Sequence, residues 1–84
     1  MTINQFAKSR SYLFWSTKSF DTLSPEVIVE TILNYGTWDD VQELFKIFGI
    51  KKTAKIFKKQ ISYLRSNYDS KTKNYFKLYF NKYA

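Results

Sequence analysis

The 84-residue chain contains no cysteine and no histidine. Without cysteine there is no disulfide framework, no thiolate zinc site and no cysteine nucleophile. Without histidine the usual general base near neutral pH and the commonest metal ligand are missing. The expectation is a binding protein rather than an enzyme, with no cofactor and no metal. Glycine and proline are scarce, at two and one residues, which argues against a loop-rich or disordered chain. Long apolar runs are also lacking. Stretches such as Leu13-Phe14-Trp15 and Val27-Ile28-Val29 are far too short to span a bilayer. The opening residues show no apolar core of secretory length, so a cytoplasmic location and no membrane partner are expected.

What the chain does have is aromatic and basic. It is 44% hydrophobic and 20% aromatic, with a formal net charge of +7. Its length allows one domain, residues 1–84, which needs a dense core because so small a fold leaves much surface in water. The charge is strongly partitioned. Residues 1–20 carry +3, residues 21–50 carry −5 with Lys46 their single base, and residues 51–84 carry +9 with Asp69 their single acid. An acidic middle joined to a basic C-terminal part is a sharper feature than the net charge.

Local signals predict an all-α bundle of about four helices, near 25–35, 38–48, 51–66 and 71–82. The N-terminal segment 1–23 is expected to be irregular or a short helix, for instance Thr2 to Lys8, with its aromatics pinned to the core. Ser24-Pro25-Glu26 reads as a helix start, with Ser as N-cap, Pro in the first turn and Glu where the helix dipole favours it. Gly36 reads as a C′ stop. Thr37 caps the next helix, with Asp40 as a weaker partner in a capping box. Trp38, Val41, Leu44, Phe45 and Phe48 recur on one helix face, and Gly49 ends it. Ala54, Phe57, Ile61 and Leu64 make the apolar stripe of the third helix. Tyr75, Phe76, Tyr79, Phe80 and Tyr83 make an aromatic band on the last. Short connections between such helices imply a compact bundle.

Lys51, Lys52, Lys55, Lys58 and Lys59 form a second stripe on the third helix, with Arg65 further along. Like charges at i, i+4 repel by a few tenths of a kcal/mol, and no acid lies on that helix. Either the acidic second helix compensates across the bundle, or an external polyanion does. A solvated basic face is the plain alternative. The aromatic band is core for the most part, with Tyr79 and Tyr83 the rim members that could meet a partner or a base, since a tyrosine hydroxyl seeks water or a polar partner. The 38–48 and 51–66 helices around Gly49 fit a helix-turn-helix poorly: Phe45 stands where a small residue is expected and Lys55 where an apolar one is. Asp39 and Glu43 share a helix face, but a helix N-terminus and surface solvation explain them at least as well as a metal.

Four blocks carry a family resemblance: Leu13-Phe14-Trp15; Val29-Glu30-Thr31-Ile32-Leu33-Asn34-Tyr35-Gly36; Val41 through Leu44 to Phe48-Gly49; and Asn74-Tyr75-Phe76-Lys77-Leu78-Tyr79-Phe80-Asn81. Over residues 13–81 the chain resembles small prokaryotic proteins of unknown function encoded beside AbiEii-type nucleotidyltransferases and regarded as antitoxins of those enzymes. It departs from them after Trp15, where Ser16-Thr17-Lys18-Ser19 replaces Asp-Pro-rich residues. The resemblance brings no catalytic residues. It implies a protein partner, a nucleotidyltransferase-type toxin, whose acidic, phosphate-admitting cleft a lysine-striped helix would suit. Two other readings stand beside this one. The first is a small DNA- or RNA-binding regulator using the same lysines. The second is a small homodimeric accessory domain with part of its aromatic excess at the interface.

Overall fold

The computed structural model describes residues 2–14, 20, 22–62 and 68–84. Among these described residues are five α-helices, α1 Ile3–Ser9, α2 Pro25–Tyr35, α3 Trp38–Phe48, α4 Ile50–Ile61 and α5 Ser70–Tyr83, with a 3₁₀ turn at Ser11–Leu13. There is no strand among the described residues. The all-α expectation therefore stands, with the N-terminal segment supplying a fifth helix.

That helix is made by local chemistry. The Gln5 amide donates to Thr2 Oγ1 at 3.2 Å, and the Thr2 amide donates to Gln5 Oε1 at 2.9 Å, closing a capping box. Phe6 and Ala7 then turn into the core, followed by Leu13 and Phe14. Asn4 ties the segment down by donating to the carbonyls of Phe20 (2.7 Å) and Leu23 (3.0 Å). The expectation that this segment anchors its apolar residues holds for Leu13 and Phe14; Trp15 to Ser19 lie outside the described residues.

The caps of α2 and α3 form where expected. Ser24 Oγ accepts the Val27 amide, and Thr37 and Asp40 exchange hydrogen bonds at 3.0 and 3.2 Å. Gly36 corrects the expectation of a C′ glycine, because its backbone is extended (φ −72°, ψ 156°). Glycine is needed there for space: a Cβ would stand 2.6 Å from the Ile32 carbonyl oxygen and 3.1 Å from Asp40 Cβ. Tyr35 sits on the apolar row of α2 yet is exposed at the helix end.

α4 differs from expectation at both ends. It starts at Ile50, straight after Gly49, and the α-helix stops at Ile61 instead of Ser66. The Ser62 amide and hydroxyl both turn back to the Lys59 carbonyl, at 3.2 and 2.6 Å, which closes the last turn in i→i−3 fashion. Leu64 and Arg65 lie outside the described residues. The last helix is one residue longer at each end than expected.

Phe6, Ile28, Val29, Ile32, Val41, Leu44, Phe57 and Phe80 are essentially without water contact. Each helix contributes, so the core is one continuous cluster in which α2 packs on α1, α3 and α4, and α5 packs on α4. Phe57 is its aromatic hub, with Tyr68, Phe76 and Phe80 within 5.0–6.2 Å, mostly edge to face.

Candidate functional site

α4 carries the site because of how it is launched. Gly49 has φ 99° and ψ 136°, the only positive φ among the described residues, and it joins α3 to α4 as a single residue. An L side chain there is strained whatever the space around it. The Thr53 hydroxyl, fully buried, donates to the Gly49 carbonyl at 2.8 Å and fixes the first turn. A one-residue joint is shorter than the three- to four-residue turn of a helix-turn-helix.

The register then follows from the period of the helix. Thr53, Ala54 and Phe57 face inward. Lys51, Lys52, Lys55, Lys58 and Lys59 are all exposed, and at about 100° per residue they occupy roughly 120° of arc opposite the core. The arc runs about 12 Å along the axis from Lys51 to Lys59, at about 1.5 Å per residue.

Among the described residues no carboxylate forms an ion pair with them; the ion pairs are Arg10–Asp40 at 2.6 Å and Lys46–Glu43 at 3.6 Å. Two of the three acids of α3 are engaged locally, and the third, Asp39, is exposed at the start of the helix without an ion pair to α4. Asp40, buried, accepts from Arg10 Nε at 2.6 Å, from the Tyr12 hydroxyl at 2.5 Å and from the Thr37 amide. Burial pushes its carboxyl up, but the hydrogen bonds from Tyr12, Thr37 and Arg10 outweigh it and hold the group below its ordinary value. The Tyr12 hydroxyl is raised in turn, first by that hydrogen bond. Glu43 is taken by Lys46. Of the two candidate sources of compensation, the acidic helix does not supply it.

Two further features make the arc costly to the isolated fold. Lys51 and Lys52 stand in the first turn, at the positive end of the helix dipole, where no acid is present. Lys51–Lys55 and Lys55–Lys59 are like-charge i, i+4 pairs. Lys52 Nζ lies 5.7 Å from the Phe48 ring centroid, a modest favourable contact.

Tyr79 and Tyr83 belong to a different surface. Tyr79 is half-buried among Trp38, Phe45, Tyr75 and Tyr83, with centroids 4.7–6.2 Å away. Tyr83 is exposed and has Lys82 Nζ 5.4 Å from its ring. Among the described residues no α4 lysine lies over either ring. The lysines expected to act together therefore do form one face, and the two tyrosines form part of another. Sequence periodicity put Trp38 on the core face of α3; the structure leaves it half exposed, its indole edge-to-face on Tyr75 and Tyr79. Its position at the first residue of α3, beyond the packed turns, was the available signal.

Comparison of the chain with protein-family models, with curated proteins and with solved structures gives no match. Among the described residues no group of three or more acids could hold a metal ion, and no helix is long and apolar enough to cross a membrane.

Proposed function

We propose that this chain is a non-enzymatic, antitoxin-like binding protein that neutralises a nucleotidyltransferase-type toxin by laying the lysine face of α4 on an acidic surface of that enzyme. The observation that carries the reading is the arc of five exposed lysines with no carboxylate partner among the described residues. Such a face costs stability in the free protein and is relieved by an anionic surface. Opposite charge speeds encounter and rejects wrong partners more than it raises affinity. A cleft that binds metal and phosphates offers matching acidity, and the resemblance of the four residue blocks supplies the class of enzyme. Tyr79 is largely engaged within its own ring cluster, so the contact is assigned to Lys51, Lys52, Lys55, Lys58 and Lys59.

The test is co-expression with an AbiEii-type nucleotidyltransferase. The wild type should restore growth and co-purify, and Lys55→Glu with Lys59→Glu should do neither while remaining folded. A toxin that ignores the wild type ends this reading. The nucleic-acid reading is favoured by the same arc, since lysines without acids suit a phosphate backbone. It requires retardation of DNA or structured RNA at low salt that the same double variant abolishes.

A further inference from the structure

The strongest feature outside α4 is the ring cluster between α3 and α5. Trp38, Tyr75, Leu78 and Tyr83 are 45%, 51%, 71% and 55% exposed. They are contiguous: Trp38 packs on Tyr75 and Tyr79, Tyr83 packs on Tyr79, and Leu78 is one turn from Tyr75. At about 200 Å² per large residue, those fractions leave roughly 400 Å² in water, most of it ring and aliphatic surface. That is the size of the largest apolar patch on a typical monomer, which is often functional.

The two edges of the patch differ in charge. On the α3 side stands exposed Asp39, followed one turn on by Glu43 with its partner Lys46. On the α5 side stand Lys71 and Lys82, both exposed, on the same flank as Leu78. A two-fold axis through the rings brings the Asp39 edge of one copy against the lysine edge of the other, twice. Such self-complementarity is what an isologous contact requires.

We infer that the Trp38–Tyr75–Leu78–Tyr83 face is a homodimer interface, occupied by a second copy of this chain in antiparallel arrangement. The patch supplies the apolar centre of an interface that needs about 800 Å² per partner, and the charged edges supply the rim. A second copy pairs both edges at once, whereas a nucleic-acid strand on the same rings would be held at Lys71 and Lys82 and repelled at Asp39. The contact uses α3 and α5 and none of the α4 lysines. Its failure would leave the lysine-face reading untouched, and the reverse also holds.

Sedimentation equilibrium of the full chain tests it. The wild type should shift from 10.1 kDa at low concentration toward twice that mass as concentration rises. Leu78→Lys and Tyr75→Lys, both exposed positions, should keep the helical circular dichroism and stay at the monomer mass. Asp39→Lys alone and Lys71→Glu with Lys82→Glu alone should each lose the dimer, because each sets like charges across the axis twice. Mixing those two variants should restore it as a heterodimer with both edges complementary. A wild type that is monomeric throughout overturns the proposal. So does a dimer that survives Leu78→Lys and Tyr75→Lys, or a mixture that stays monomeric. A monomer whose tryptophan fluorescence is instead quenched by a single-stranded oligonucleotide assigns the rings to nucleic acid and overturns it as well.

Discussion

Replacing Asp40 with Asn should cost about 2 kcal/mol at neutral pH. The carboxylate serves three donors: Arg10 on Oδ1, and Tyr12 and the Thr37 amide on Oδ2. Asn keeps one oxygen, which can face Tyr12 and Thr37, and turns its NH₂ toward the guanidinium, so the charge-assisted bond is lost. Such bonds contribute about 1.5–3 kcal/mol. The Arg10 side chain is 27% exposed and regains some water, which keeps the cost below that of a sealed ion pair. Asp40→Ala should cost about 1 kcal/mol more, by removing the capping box as well. For an 84-residue domain a loss of about 2 kcal/mol lowers Tm by roughly 8–16 °C. Thermal and urea unfolding measure it, and pH supplies the check. A carboxylate whose folded pKa is depressed adds stability that is complete above its ordinary value of 3.8 and is lost as pH falls through the folded pKa. The gap between wild type and Asp40→Asn should therefore be full at pH 7 and shrink below about pH 4. An Asn variant as stable as the wild type at pH 7, or a gap that is unchanged at pH 2, would refute the reasoning.

Gly49→Ala should destabilise by about 1–3 kcal/mol through backbone strain alone, because nothing stands within 4 Å of the added methyl; equal urea midpoints for the two proteins would contradict this. Lys52→Glu should raise Tm by a few degrees, since an acid in the first turn of α4 gains about 0.3–1 kcal/mol from the helix dipole. The same change should weaken partner capture in the co-expression assay, and a variant that gains stability without losing capture would remove Lys52 from the contact.

Much of this was legible in the chain itself. Ser24-Pro25, the Thr37–Asp40 box and the Gly49 break mark helix ends because capping chemistry acts within one turn, where sequence neighbours are also spatial neighbours. The outward arc of Lys51 to Lys59 follows from helical period in the same way. The end of α4 departs from the periodicity for a local reason: the apolar row continues through Leu64 in the sequence, while the Ser62 amide and hydroxyl both close on the Lys59 carbonyl.

The tertiary structure decided what lies across the bundle. Asp40 looks like a capping residue until Arg10 and Tyr12, 30 and 28 positions away, are brought onto it by the packing of α1 against α3. Trp38 looks like a core residue until α5 meets α3 through rings and leaves the indole half in water. Whether the acids of the middle segment neutralise the lysines of α4 was open in the sequence, because charge counts carry no direction. Among the described residues the packing pairs Asp40 with Arg10 and Glu43 with Lys46, and pairs no acid with a lysine of α4. Local hydrogen bonding and periodicity determined the helices; the relative placement of their side chains, and with it which charges remain unpaired, depends on contacts between residues that only the folded chain brings together.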